Sequence, residues 1–146
     1  MSRKRRQPEA AIQRAVIEHL RWRHFPGCFW FHCPNGGAGR PIEAAILKAL
    51  GVVAGIPDLI FIRDGHVYAL ELKAPGREPT PAQITTMNAM RAAGATVAVA
   101  HGVDEAIAQL EAWGLLRPNK NNPERARAAS TRNPAFNPAA KETSHE

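Results

Sequence analysis

Apolar positions along this chain switch repeatedly between a helical and a strand period, and the switches outline an α/β order. From Pro8 to His24, Gln13, Val16 and Leu20 fall within about 40° of Glu9 on a helical wheel, so the core-facing stripe of a first helix opens on an acid. Pro8 and Glu9 suit its first turn. After a turn at Pro26-Gly27, Cys28 to His32 reads as a short aromatic strand. Cys33 to Arg40 is too rich in glycine to be regular. Pro41 to Leu50 is helical and stops at Gly51. Two β-rich runs follow, Leu59 to Ile62 and Val67 to Leu72, joined by the two-residue hairpin signal Asp64-Gly65. Thr80-Pro81-Ala82-Gln83 then opens a helix that Gly94 ends, with Thr80 as N-cap, Pro81 first and Gln83 as its capping-box partner. Thr96 to Ala100 is a strand of the buried type, and Val103 to Trp113 an amphipathic helix.

The hairpin carries the chemistry. If Arg63 pairs with His66, Asp58 falls directly opposite Glu71, and Lys73 shares the face of Glu71 because side chains alternate along a strand. Opposed residues of an antiparallel pair have Cβ atoms about 4.5 to 5.5 Å apart, where like charges destabilise. The surrounding positions are apolar on both sides: Ile60, Ile62, Val67 and Ala69 with the charges, and Leu59, Phe61, Leu70 and Leu72 opposite. Both faces are therefore expected to be covered, as in a strand under helices. Alone, a Pro-Asp or an E-x-K is an ordinary solvated feature. Together in apolar surroundings, the two acids suit a hard divalent cation that takes carboxylates, water and a substrate phosphate. Glu9 either caps its helix and reaches water or points at the same ion; spacing leaves both open.

Composition narrows the class. At 146 residues, 45% hydrophobic, the chain suits one domain. No apolar run approaches the ~20 residues that span a bilayer, and no signal-peptide core follows the basic start, so a cytoplasmic protein is expected with no membrane partner. Cys28 and Cys33 provide no disulfide framework; on a strand Cys28 and His32 face one side and Cys33 the other, which argues against zinc. The net charge of +6 sits in the arms: Arg3, Lys4, Arg5 and Arg6 at one end, and a net +3 over residues 117 to 146 at the other, against −1 between. Basic arms suit a polyanion, though they also aid solubility. The C-terminal segment, rich in Pro, Asn and Ala, is expected to be disordered. The loop Asn35-Gly36-Gly37 with Arg40 offers backbone N–H groups to a phosphate, without the spacing of a nucleotide phosphate loop.

Taken in order, Glu9 and Gln13, Pro34-Asn35-Gly36-Gly37 with Arg40, Gly55-Ile56-Pro57-Asp58, Glu71-Leu72-Lys73 and Pro81-Ala82-Gln83 resemble the PD-(D/E)XK nuclease fold. Within it, they resemble the small stand-alone form of the virus-type replication-repair nuclease (VRR-NUC) domain. The resemblance implies a restriction-endonuclease-like fold, a central mixed β-sheet flanked by helices in the order α-β-α-β-β-α-β-α. It divides the chain into an arm (1–7), a nuclease domain (8–116) and a tail (117–146). It further implies that Asp58, Glu71 and the Leu72 backbone carbonyl bind Mg²⁺ or Mn²⁺, with Glu9 contributing through water or a second ion. Lys73 would orient or activate the attacking water, and Gln83 would support Lys73 or the phosphate while capping its helix. Arg40, Asn35, Gly36, Gly37 and the basic arm Arg3, Lys4, Arg5, Arg6 would contact DNA. Stand-alone relatives resemble homodimeric enzymes, bacterial or phage-encoded, that resolve four-way junctions, and Trp22, Phe25 and Trp30 are candidate aromatics for a dimer face. Flap, splayed-end and restriction-type cleavage are the competing substrates. RNA-directed cleavage by the same fold and non-catalytic DNA binding are the competing functions.

Overall fold

The computed structural model describes residues 7–34 and 40–119. It arranges α1 (Gln7–Arg23), β1 (Phe29–His32), α2 (Pro41–Ala49), β2 (Leu59–Arg63), β3 (His66–Lys73), α3 (Pro81–Ala92), β4 (Thr96–His101) and α4 (Val103–Ala112) in the expected order. The four strands form one sheet in sequence order, β1 and β2 antiparallel, β2 and β3 antiparallel, β3 and β4 parallel. The parallel pair needs a crossover connection, and α3 is that crossover.

The hairpin register is the one the Asp-Gly turn dictates. Asp64 (φ 52°) and Gly65 (φ 73°) both take the positive φ of a type I′ turn, whose twist matches that of the flanking strands. Arg63 therefore pairs with His66 and Leu59 with Leu70. A one-residue slip would have turned every side chain to the other face.

Side-chain alternation divides the core into two layers. Ile12, Val16 and Leu20 of α1 and Ala106, Ile107 and Leu110 of α4 pack on Leu59, Phe61, Leu70, Leu72 and Ala100. Met87 of α3 covers Ile60, Ala69 and Val97 on the other face. Segment 114–117 ties the first layer shut. Phe25 N–H donates to the Leu115 carbonyl (3.1 Å), Arg117 N–H donates to the Arg23 carbonyl (2.8 Å), and Arg23 makes a 2.5 Å ion pair with Glu111 on α4. Arg63 lies 4.6 Å over the Phe25 ring and donates to the Gly114 carbonyl. These bonds hold α1, and with it Glu9, at a set angle to the sheet.

One expectation fails. The charged side of the sheet is covered over β3 and β4 but bare over β1, where Phe29 is 65% exposed and neighbouring Phe31 and Ile62 are also open to solvent. The helix next to β1 in sequence does not cover it: α2 buries no residue, and Ile42, Ile46 and Leu50 lie in solvent at one-turn intervals. A helix normally forms because its apolar stripe is buried. Here that stripe has no cover within the described chain.

Candidate active site

The site lies where the hairpin, the start of α3 and the end of β1 meet. Gly55 makes the approach possible. Its φ is +79°, and a Cβ there would sit 2.5 Å from the Ala82 carbonyl oxygen and 2.7 Å from the Gln83 nitrogen. Only glycine tolerates both the conformation and the contact. Thr86 fastens the same loop by donating its hydroxyl to the Ala54 carbonyl at 2.6 Å. The Gly-Ile-Pro-Asp segment is thus pressed onto the first turn of α3, which carries Gln83 towards the acids.

Gln83 caps its helix as expected, and its amide reaches Glu71 instead of Lys73. Its Oε1 accepts the Thr80 N–H (2.8 Å) while Thr80 Oγ1 accepts the Gln83 N–H (3.3 Å), a complete capping box. Because the Thr80 N–H can only donate, the amide orientation follows, and Nε2 donates to Glu71 Oε1 at 2.6 Å. Lys73 Nζ lies 3.2 Å from that same oxygen. Glu71 is 2% exposed and Lys73 is 7% exposed. One oxygen of Glu71 is therefore occupied twice. The other, Oε2, is buried and has no hydrogen-bond partner.

Asp58 precedes the first residue of β2, and its Oδ2 accepts the Leu72 N–H at 2.8 Å. Extending the register two steps past Leu59 and Leu70 sets Asp58 opposite Glu71 and then Pro57 opposite Leu72. Proline has no N–H, so this rung brings no backbone donor to the Leu72 carbonyl. N–H and C=O of one strand residue face the same neighbour, which sets that carbonyl on the Asp58 side.

Burial and mutual repulsion dominate the electrostatics. Desolvation raises the Asp58 pKa against the Leu72 N–H and the charges of His32 and Lys73; Glu9 adds repulsion. Glu71 is pushed up to about 7, first by burial and then by the Asp58 charge, with the charge and hydrogen bond of Lys73 and the backbone N–H of Asp58 opposing. An unpartnered buried carboxylate oxygen beside a second carboxylate is costly in a folded protein. A divalent cation with oxygen ligands would remove that cost, so the donor set fits Mg²⁺ or Mn²⁺. Among the described residues no group of three or more His, Cys, Asp or Glu converges on a metal position. Two carboxylates and the Leu72 carbonyl would be the protein's share. Glu9, half-buried on α1, is near enough for its charge to act on Asp58 but does not complete a three-acid cluster.

Other expected site residues lie elsewhere. Arg40 makes an exposed 3.8 Å ion pair with Glu43 and is not among the charges acting on either acid. Asn35, Gly36, Gly37, Arg3, Lys4, Arg5 and Arg6 lie outside the described residues. Of the aromatics considered for a dimer face, Trp22 is exposed, but Trp30 packs against the core and Phe25 lies half-buried under Arg63. Cys28 and Cys33 are free thiols. The sequence pattern brings His32 into view only as a zinc ligand; in the fold its Nδ1 lies 2.7 Å from the Asp58 carbonyl oxygen. The strand signal placed His32 at the end of β1, but which strand β1 would pair with is not a local property.

No protein-family model matches the chain, and no curated protein does. Solved structures do. One described as a VRR_NUC domain protein is 28% identical, with 71% of this chain and 85% of that chain covered, at a TM-score of 0.60. Another, described as a VRR_NUC domain, is 22% identical over 70% of this chain and 92% of that one, at a TM-score of 0.48. With the first of these likenesses, and with Asp58, Glu71 and Lys73 set on a mixed sheet flanked by helices, the chain is a VRR-NUC domain of the restriction-endonuclease-like α/β fold.

Proposed function

We propose that this nuclease domain is a divalent-metal-dependent endonuclease that hydrolyses phosphodiester bonds in DNA, selecting branched structures, four-way junctions above all, as a homodimer. The observation that carries the reading is the buried Oε2 of Glu71, which has no hydrogen-bond partner while Lys73 and Gln83 hold Oε1 and the Asp58 charge acts on the same carboxyl. When bound, Mg²⁺ or Mn²⁺ would polarise the scissile phosphate and lower the pKa of a bound water. Asp58, Glu71 and the Leu72 carbonyl would hold it, with Glu9 acting through water. Lys73 orients the attacking water and offsets charge that grows on the phosphate. Gln83 keeps Lys73 and Glu71 in register. The water oxygen bonds to phosphorus and gives up its proton to solvent as the bond to the 3′ oxygen breaks; that oxygen takes a proton from solvent and leaves as a 3′-hydroxyl, and a 5′-phosphate remains.

Two further observations support the finer parts. The apolar row Ile42, Ile46 and Leu50 on α2 is the kind of surface that marks an interaction site, and it supports a homodimer better than the aromatics of α1 and β1 do. Excess positive charge in the arms supports salt-dependent attraction to DNA without base reading.

The test is a panel of labelled four-way junction, flap, splayed-arm, duplex and single-stranded DNA, with matched RNA junctions, in Mg²⁺, Mn²⁺ and EDTA. Paired symmetric incisions in the junction, lost in EDTA, are expected. Cleavage confined to flaps or to one duplex sequence would replace the junction reading, and preference for RNA would replace DNA. Binding in EDTA with no cleavage under any metal would make the chain a DNA-binding protein.

A further inference from the structure

Asp58 is held from two sides by different parts of the fold. Towards β3, its carboxylate accepts the Leu72 N–H. Towards β1, its backbone carbonyl accepts two bonds, the Cys33 N–H at 3.1 Å and the His32 Nδ1 at 2.7 Å. A carbonyl oxygen can only accept, so Nδ1 carries the hydrogen. The first of the two bonds toward β1 is the last rung of an edge strand, and such rungs open most easily. His32 is itself exposed, so burial does not hold its ring against Asp58. Neither core layer explains the contact; the shared acceptor does.

We propose that His32 is a positioning residue of the candidate site: its imidazole, bonded to the Asp58 carbonyl, holds the peptide from which the Asp58 carboxylate reaches Leu72 and faces Glu71. The proposal rests on the metal-dependent reading above in one respect, that the position of Asp58 matters for a cation. Without the ring, the end of β1 retains only the Cys33 bond, and the Asp58 peptide can tilt. The carboxylate then leaves the Leu72 N–H. Loss of a group that orients a metal ligand typically costs about 10- to 100-fold in metal affinity or activity.

Hydrogen exchange at the Leu72 amide reports on this directly, because that N–H is bonded to the Asp58 carboxylate, and it requires neither metal nor substrate. On the full chain, His32→Ala should speed Leu72 exchange at least about tenfold and weaken Mn²⁺ binding, measured by titration calorimetry, about 10- to 100-fold. His32→Asn places an N–H donor where Nδ1–H stood and should restore both values; His32→Gln, with its donor one bond further out, should not. Unchanged Leu72 exchange in His32→Ala overturns the proposal. So does equal impairment in the Asn and Gln variants, a comparison that remains decisive if the alanine variant loosens the whole of β3. Wild-type protein that neither binds Mn²⁺ nor cuts any DNA, while Leu72 still responds to His32, would instead retire the nuclease reading and leave the positioning role in place.

Discussion

At the Asp58–Lys73 end of the sheet, charged groups are buried that packing alone would leave in water, whereas on α2 and the outer part of β1, apolar groups lie in water that packing alone would bury. The two regions are close in sequence and depart from the usual partition in opposite directions. In the first, Glu71 Oε2 is the one buried side-chain polar atom without a hydrogen-bond partner among the described residues, and its carboxyl lies within range of the Asp58 charge. In the second, one face of a whole helix lacks cover among the described residues. A buried acid with one bare oxygen calls for a small cation, whereas an uncovered row of isoleucine and leucine calls for a large apolar surface. The size and chemistry of what each region lacks separate the proposed reaction centre from the proposed docking surface.

The most severe test of the first half of this contrast is removal of either acid. Asp58→Ala or Glu71→Ala should reduce metal-dependent cleavage to background while raising the melting temperature in EDTA, because repulsion is relieved. Retained cleavage by either purified variant would end the assignment. Next in size is Lys73→Ala, which should slow single-turnover cleavage by about 10² to 10⁴ at undiminished DNA affinity. Lys73→Arg should recover little, since the planar guanidinium differs from an ammonium in shape and hydration. Full activity in the Arg variant would mean that charge alone is needed there.

Stability against pH sharpens the comparison further. The folded pKa of Glu71, about 7, lies above its ordinary value of 4.5. Between those two values the folded chain keeps a proton that the unfolded chain has lost, so stability falls as pH rises through this window and levels off above it. The raised pKa of Asp58 acts with the same sign. Urea unfolding in EDTA should show a loss on the order of 3 kcal/mol from pH 4.5 to pH 8 for Glu71. Glu71→Gln should remove most of the slope, and so should saturating Mg²⁺. A rise in stability with pH would contradict the buried-pair description.

The smallest effect on the folded monomer, and the one that isolates the second region, is expected for Ile46→Glu. Ile46 is 54% exposed, so its replacement should change monomer stability by less than about 0.5 kcal/mol. Sedimentation equilibrium should nevertheless show the dimer lost, with paired incisions replaced by single nicks. An unchanged dimer would move the interface away from α2.

How much of this was legible in sequence follows from the range of the interactions. The Asp64-Gly65 turn is local, and by setting the β2–β3 register it brought Asp58, Glu71 and Lys73 together on paper. The capping box at Thr80 was equally local, and it identified Gln83, though not the acid its amide would reach. The cover of the sheet was misjudged because alternation shows that a face is apolar without showing how far the covering helix extends. Met87 of α3 reaches Ile60 but leaves Phe29 and Phe31 bare.

The sequence by itself therefore determined the element order, the hairpin register and the shared face of the two acids and the lysine, because turn geometry and the two-residue period of a strand act over a few residues. Tertiary structure alone decided that Gly55 lies against Ala82, that Glu71 Oε2 has no hydrogen-bond partner, that His32 bonds Asp58 and that α2 has no cover among the described residues. Each of these depends on elements far apart in the chain coming into contact, and nothing in a local pattern encodes which atoms will meet when they do.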